Sequence, residues 1–266
     1  MGQKKRRLER LKKDHPFCCF CGGTRETETI EHAPPKAFFK DKARLRGLEF
    51  PACKRCNNGS SQLDQVASWV AYGMGLIRRD DPQDGYWEKL SRGVKNNTPD
   101  ALECIQTERA ERIWWWNGYK VEAEAMSVPM GVEIFQKYLN PWAAKLGYAL
   151  WYNHTSTILP PEGRVWVRWI TNDAIIKDGL PEVVSRMPEI TYALMNGKKE
   201  SADQFHYRAH HDKDNATFIF FVGAHSSSGI AIAASEKHAA RIGEGAEAST
   251  VFNTSERFGI QSIERH

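Results

Sequence analysis

Two stretches of the chain carry apolar residues at helical spacing. Residues 62–79 are predicted to form a helix that ends near the charged run 78–82, with one apolar face built from Val66, Trp69, Val70 and Met74. Residues 131–151 repeat the pattern, with an apolar face at Ile134, Tyr138, Leu139, Trp142, Leu146 and Leu150. Pro141 lies inside the second stretch, so a kink or a break is expected there.

Other segments have the composition or the alternation of strands. Residues 27–32 are rich in β-branched side chains and run into Pro34 and Pro35, which predicts a short strand followed by a stiff loop. A hairpin is expected over residues 113–121, and further strands over 165–170, 204–209 and 217–222. The polar stretch from Ser91 to Asp100 is expected to be a loop. Together these elements predict an α+β protein.

Composition sets the broad class. A chain of 266 residues with 41% hydrophobic content is long enough to bury a core and to form two domains. No apolar run reaches the roughly 18 residues that a membrane span needs, and no apolar segment follows the charged N-terminus. We therefore expect no membrane span and no secretory signal. With cysteines that suit a metal better than disulfides, this favours a cytoplasmic protein.

The spacing of four cysteines is the strongest motif. Cys18 and Cys21 form one Cys-x-x-Cys pair, and Cys53 and Cys56 form another. Each pair closes a tight turn that points two thiolates inward, and two turns supply the four soft ligands of a structural zinc site. Cys19 competes with Cys18, which keeps the two-residue spacer and is preferred. Such a closed site holds structure, so any chemistry must come from other residues.

The residues around these pairs resemble the zinc-bearing HNH endonucleases of the ββα-metal kind, whose treble-clef module also occurs in phage recombination endonucleases. The resemblance covers roughly residues 17–70 and rests on Glu31-His32 between the pairs and Asn57 directly after Cys56. It implies that His32 is the general base that activates water. It also implies that Glu31 and Asn57 hold a catalytic divalent ion, Mg²⁺ or Mn²⁺.

One departure from the family pattern lies downstream. Many members carry a further histidine or asparagine ligand on the next helix, and residues 60–66 contain no histidine. Asp64 is the candidate substitute. It also completes a Ser61-x-x-Asp64 capping box at the start of the predicted helix, and that role is the favoured one for it.

Phosphodiester hydrolysis gives independent reasons for these residue types. A nucleophile must be generated near neutral pH, and a neutral histidine with an ordinary pKa of about 6.5 is suited to accept its proton. A cation must offset the charge that develops on the phosphate, and oxygen ligands such as those of Glu31 and Asn57 suit a magnesium-type ion. Simpler roles stay open: a packed histidine or a fifth zinc ligand for His32, a surface carboxylate for Glu31, and a helix cap for Asn57.

Positive charge is concentrated in the half that carries the cysteines. Residues 1–56 contain 15 Lys and Arg against 7 Asp and Glu, a net +8, whereas the whole chain is only +4. A surface of this kind binds phosphate backbones without reading sequence. The candidate nucleic-acid contacts are Lys4, Lys5, Arg6, Arg7, Arg10, Lys12, Lys13, Lys36, Lys54 and Arg55. A solvated helix with a flexible tail is the alternative for the N-terminal run.

The sequence thus predicts a basic arm and a zinc-bound HNH-type module in residues 1–80, followed by a larger α+β domain in residues 81–266. The expected activity is metal-dependent endonuclease cleavage of nucleic acid, with DNA favoured. The larger domain would recognise substrate, form a homodimer or gate the nuclease. Two alternatives remain: a zinc-stabilised nucleic-acid-binding protein without catalysis, and an interaction protein whose zinc module only nucleates folding.

Two further clusters in the larger domain carry no assignment. Trp114, Trp115 and Trp116 are candidates for stacking on unpaired bases, although a place in a core is the favoured role. His206, His210 and His211 are candidates for a second metal site, although histidines at a strand end near a charged turn commonly have no chemical role.

Overall fold

The computed structural model mixes helices and antiparallel strands, which confirms the α+β class. It describes residues 2–42, 44, 46–76, 85–104, 108–116, 119–127, 131–171, 179, 182–189, 191–196, 199–214, 216–225, 228–236 and 250–253. Within these residues, no helix is both long and apolar enough to cross a membrane.

The N-terminal part is a small ribbon surrounded by helices. Helix α1 (Gln3–Asp14) is followed by strand β1 (Thr29–His32), which pairs antiparallel with β2 (Glu49–Ala52). Helices α2 (Lys54–Gly59) and α3 (Ser61–Leu76) come next. The structure thus confirms the predicted strand before Pro34 and the predicted helix after residue 61, and it adds β2, which the sequence analysis missed.

The segment expected to be a loop is helical. Helix α4 (Tyr86–Asn97) and helix α5 (Pro99–Glu103) occupy most of the stretch from Ser91 to Asp100, so that prediction is wrong. The reason is an amphipathic pattern in α4, whose buried residues, Tyr86, Leu90 and Val94, are four apart. Thr98 and Pro99 end one helix and begin the next. The hairpin expected at 113–121 is present as β3 (Glu108–Trp116) and β4 (Tyr119–Ser127).

One long helical segment carries the centre of the protein. It begins with α6 (Val132–Ile134), passes through a π-helical turn (Phe135–Leu139) and continues as α7 (Asn140–Thr155). Pro141 lies in the first turn of α7, where its missing N–H costs little. The expected break at this proline is therefore a change from π-helical to α-helical geometry, and the chain stays helical through it.

A six-stranded antiparallel sheet forms most of the C-terminal part. Its strand order is β12-β5-β11-β10-β9-β6. The members are β5 (Arg164–Thr171), β6 (Tyr192–Ala193), β9 (Phe205–Asp212), β10 (Thr217–Ala224), β11 (Ser228–Ser235) and β12 (Thr250–Asn253). The predicted strands at 165–170, 204–209 and 217–222 are confirmed. The short strands β7 (Met195–Asn196) and β8 (Lys199–Glu200) pair separately, and helix α8 (Glu182–Ser185) precedes them.

A single core joins the two predicted domains across residue 80. The rings of Phe38 and Trp142 stack with centroids 5.6 Å apart, and Phe38 also contacts Phe205 edge-on at the start of the sheet. The carbonyl of Phe38 lies 2.8 Å from Nε2 of buried His225. On its other side, α7 packs so closely on the sheet that a Cβ at Gly147 would lie 2.8 Å from side chains of Ile232 and Val165.

This close approach gives a test of how α7 packs. Gly147→Ala should lower the free energy of unfolding by about 1–3 kcal/mol because it overfills the helix–sheet contact. In an unconstrained helix the same change is stabilising by about 0.5–1 kcal/mol. Gly93→Ala in α4 is the matched control, because its Cβ would meet only the movable end of the Gln65 side chain. Urea denaturation measures both, and equal effects of the two substitutions would contradict the close packing.

Candidate metal centre and active site

The four predicted zinc ligands are brought together. The sulfur atoms of Cys18, Cys21, Cys53 and Cys56 all lie within 4.8 Å of one another, and all four residues are buried. Cys19 is also buried but lies outside the group, and its N–H donates to Pro51 O, so the preference for Cys18 is confirmed. All six cysteines of the chain are free thiols.

The surroundings of this cluster suit a metal. The backbone N–H of Phe20 donates to Cys18 Sγ, and that of Cys56 donates to Cys53 Sγ, each at 3.4 Å. Such bonds stabilise thiolate charge. Thiols packed this closely also share protons: hydrogen bonds from Cys18 and Cys56 lower the pKa of Cys21 to about 2, while bonding to Cys21 is the main cause that raises the pKa of Cys18 to about 12. Four buried sulfur donors fit one tetrahedral zinc ion.

His32 lies at the end of β1 on the face of the ribbon turned away from the core. Side chains alternate along a strand, and cross-strand partners share a face, so His32 lies beside Glu49 while Glu31 lies beside buried Phe50. The His32 side chain is 27% exposed, and its Nε2 lies 3.7 Å from Glu49 Oε1. Its position is partly open to solvent and is not among the cysteine ligands.

The electrostatic surroundings keep His32 neutral. Burial lowers its pKa to about 4, with help from the nearby positive charges of Arg44, Lys36 and Arg7. Arg44 is held in place, because its Nε donates to Pro34 O at 2.8 Å and its guanidinium also donates to Leu48 O at 3.0 Å. The arrangement is a neutral imidazole near three cations, of which Arg44 is held in place by backbone carbonyls.

Glu31 lies in the interior and forms an ion pair with the larger part of the chain. Its carboxylate is 6% exposed, and Oε1 accepts from Nζ of Lys145 in α7 at 2.6 Å. The same ammonium donates to Asp64 Oδ2 of α3 at 2.7 Å. We refer to Glu31, Lys145 and Asp64 as the buried triad. It joins three elements that are far apart in sequence.

The buried triad has more negative than positive charge of its own. Burial raises the pKa of Glu31 to about 7 and that of Asp64 above its usual range, although the Lys145 ammonium opposes both shifts. Burial alone would lower the pKa of Lys145, but the two carboxylates outweigh it and the pKa is raised. One ammonium between two carboxylates leaves room for one further positive charge, either a proton or a cation.

The capping role predicted for Asp64 is wrong. Its Oδ2 is bonded to Lys145, and its buried Oδ1 has no hydrogen-bond partner. A carboxylate near a buried ammonium gains more from the charge-assisted bond than from a backbone N–H at the helix start. Asp64 therefore lies directly beside Glu31's ion pair, on the helix where the family pattern expects a further ligand.

Asn57 fastens α2 to the strand that carries the candidate residues. Its Nδ2 donates to Thr29 Oγ1 at 3.1 Å and lies 3.5 Å from Ile30 O. The first helical residue of α2 is Lys54 and its cap is Cys53, so Asn57 lies within the helix and the alternative role as a helix cap is wrong. The amide is therefore oriented by β1.

The basic residues near the cysteine cluster form a surface on which some side chains are exposed and others are engaged in ion pairs. Along α1, Lys5, Arg6, Arg7, Arg10 and Lys13 are exposed. Arg7 also pairs with Glu49, the strand neighbour of His32, so the helix is anchored beside the candidate base. Lys54 pairs with Glu28 at 3.5 Å, while Arg55 is exposed. Lys36 is exposed, Lys12 is half-buried, and the side chain of Lys4 lies outside the described residues.

Sequence reasoning missed Lys145 and gave Arg44 no individual role. Lys145 did leave a signal: it is a charged residue in the middle of a helical stretch whose neighbours, from Asn140 to Trp151, are all buried. A lysine at such a position must have partners, because an unpaired buried ammonium is very costly. The identity of those partners, Glu31 and Asp64, could not be read from spacing.

Comparison of the chain with family models, with curated proteins and with solved structures found no match.

The cysteine cluster predicts one bound zinc ion per chain. Cys53→Ser should lose the zinc and the cooperative melting of the N-terminal part, because a structural zinc contributes about 10–16 kcal/mol of apparent binding free energy. Cys104→Ser is the matched control, since Cys104 lies outside the cluster. Metal analysis and calorimetry on both proteins provide the test. A zinc-free parent protein, or equal melting of the two variants, would refute the site.

The buried triad predicts a pH-dependent loss of stability in Lys145→Met. Without the ammonium, the pKa values of Glu31 and Asp64 rise further above their usual range, so the folded state retains protons that the unfolded state releases above about pH 4.5. Stability should then fall as the pH rises through 7. At pH 8 the loss should be about 3–5 kcal/mol, and at pH 5 it should be smaller.

Lys137→Met is the control for this experiment. Lys137 also pairs with a carboxylate, Asp100, at 2.6 Å, but both side chains are about half exposed. Its loss should change the free energy of unfolding by at most about 1 kcal/mol and without the same rise of the effect with pH. Equal pH profiles for the two variants would contradict an interior ion cluster.

Proposed function

We propose that this protein hydrolyses phosphodiester bonds of nucleic acid, with His32 as the general base. The observation that carries the proposal is the neutral, partly exposed imidazole of His32 near the cations Arg44, Lys36 and Arg7. A histidine in this state is unprotonated at pH 7, and the cations around it attract a phosphate group. The negative charge of a bound phosphate would in turn raise the pKa of His32 toward the range of an efficient general base.

The local structure supports this role by limiting how His32 moves. Pairing of β1 with β2 fixes the backbone at His32, and Glu49 lies on the same face of the ribbon. Both cysteine turns hold β2, since Cys53 directly follows this strand and the N–H of Cys19 donates to Pro51 O within it. Strand β1 is held in turn by its pairing with β2. Holding a base at a set position removes part of the entropic cost of reaction.

Glu31 and Asn57 are the residues proposed to hold a Mg²⁺ or Mn²⁺ ion, which when bound offsets the charge that develops on the phosphate. Their oxygens suit such an ion, and the net negative charge of the buried triad supports a further cation beside Glu31. The ordering of these oxygens comes from the chain itself: Lys145 fixes Glu31, and Thr29 fixes the Asn57 amide.

One observation favours the second candidate function, a zinc-stabilised nucleic-acid-binding protein without catalysis. The Glu31 carboxylate already pairs with Lys145, which supplies a positive charge where the nuclease proposal places the ion. In that case α1 and the cations near His32 bind the phosphate backbone, and the buried triad only holds the fold. Binding would then be present and cleavage absent.

Cleavage assays separate the two functions. Parent protein should nick or linearise supercoiled plasmid when Mg²⁺ or Mn²⁺ is added, and His32→Ala should reduce the rate by about 10²- to 10⁴-fold, the usual contribution of a general base. Zinc content, melting temperature and plasmid binding should stay unchanged, because His32 is not a cysteine-cluster ligand. His211→Ala, which removes an exposed histidine of β9, is the control.

Several outcomes would decide against this assignment. Cleavage by His32→Ala at the parent rate removes the residue from the chemistry. Loss of zinc or of cooperative melting in His32→Ala gives it a structural role. A parent protein that binds plasmid without cutting it under any divalent ion supports the non-catalytic function.

A further inference from the structure

The large sheet has a second face, on the side opposite to α7. Strand register assigns one set of alternating residues to the side that packs on α7, including Val165, Ile232 and Phe220. The other set defines what we call the outer face: every second residue of β5, β9, β10 and β11, with His206, Arg208, Phe221, Ala231 and Arg168 near its middle. His210 and Arg168 on this face are exposed and His206, Arg208 and Phe221 are half-buried, whereas Trp166, Ile170 and Ala233 are buried.

Two aromatic rings on the outer face lie over glycines of the neighbouring strand. A Cβ at Gly223 would come within 2.3 Å of ring atoms of His206, and a Cβ at Gly229 would come within 2.6 Å of the ring of Phe221. His206 is held there because its Nδ1 lies 2.9 Å from Ala202 O, and a carbonyl accepts only, so Nδ1 carries the proton. Gly223 and Gly229 are paired, which puts the two rings side by side across three strands.

Arginines flank these rings. Register places Arg208, Phe221, Ala231 and Arg168 in one row across β9, β10, β11 and β5. Neither arginine makes an ion pair with a described residue. In the four strands the outer face carries three arginines, the third being Arg164, against one carboxylate, Asp212 at its far end. The surface is therefore positive and has aromatic rings between the charges.

The outer face also begins where the zinc-bearing part ends. Gln204, just before β9, accepts from the backbone N–H of Lys40 at 2.8 Å, and His225, just after β10, lies 2.8 Å from Phe38 O. His206 is one residue into β9 and pairs opposite Gly223 at this same end of the sheet. This end of the outer face therefore borders the contacts that the sheet makes with Phe38 and Lys40.

From this geometry we infer that the outer face binds single-stranded nucleic acid, whose bases stack on Phe221 and His206 and whose phosphates contact Arg168 and Arg208. Bases have a π face whatever their sequence, and spaced arginines match a phosphate backbone. Paired bases in a duplex do not offer their faces, so the aromatic rings favour a single strand. This inference rests on the proposed function, because it assigns the surface to that enzyme's own substrate strand.

Binding measurements without added divalent ions test the surface apart from cleavage. The probes are a fluorescein-labelled 20-residue oligothymidylate and a labelled 20-base-pair duplex, in the His32→Ala background. Phe221→Leu keeps apolar bulk but removes the ring, and it should weaken oligothymidylate binding by about tenfold while changing duplex binding little. The double change Arg168→Gln with Arg208→Gln should reduce the salt slope by about 1.4, or about 0.7 per lost contact with a single strand.

Arg92→Gln is the matched control, an exposed arginine on α4. Melting temperatures of all variants should equal that of the parent. The inference is overturned if Phe221→Leu and the double arginine variant bind oligothymidylate as tightly as Arg92→Gln does. It is also overturned if the parent protein does not bind oligothymidylate. Equal weakening on duplex would reduce the face to a general polyanion surface and overturn the single-strand assignment.

The two proposals fail separately. If plasmid is cleaved through His32 while the outer-face variants bind normally, the nuclease proposal stands and the outer face has no part in it. If the outer-face variants lose oligothymidylate binding and the parent protein never cleaves, the surface stands and the catalytic proposal is wrong.

Discussion

Convergence of four sulfur atoms on one point is the constraint on which the N-terminal part depends. A ribbon of two four-residue strands cannot hold itself together in water. The pairs at Cys18/Cys21 and Cys53/Cys56 lie at the two ends of the segment that contains this ribbon, so an ion bound by all four would close the segment into a loop of fixed shape. The position of every candidate residue on β1 follows from this closure.

Interior charge then connects the ribbon to the remainder of the molecule. The Lys145 side chain is only 2% exposed, and both of its carboxylate partners belong to the N-terminal part. Ion clusters of this kind contribute little net stability compared with apolar side chains of the same volume, but they tolerate very few alternative arrangements. The apolar stacking of Phe38 on Trp142 supplies the cohesion, and the buried triad sets the register between β1, α3 and α7.

Local patterns in the sequence were enough for many of the elements and for the cysteine cluster, because these are determined by short-range spacing. The Cys-x-x-Cys turns and the strand ending at His32 are examples, as is the helix that starts at Ser61. What could not be predicted depends on contacts between distant segments. Asp64 looked like a cap because its neighbours in sequence suggested one, yet its partner lies 81 positions away. The helix α4 was missed because most of its residues are polar and only three of them are buried. The catalytic assignment of His32, Glu31 and Asn57 remains a prediction.

Because α7 presents Lys145 to Glu31 and Gly147 to the sheet, two residues apart on one helix, the part that contains the cysteine cluster is not an independent module that can be excised or transplanted. A fragment ending near residue 80 would retain the cysteines and His32, but Glu31 and Asp64 would lose their counter-charge and Phe38 its stacking partner. Because α7 contacts both the sheet and Glu31, a displacement of the sheet would also move the residues of β1. The sequence suggests two separate modules, but the packing of α7 against both makes them one structural unit.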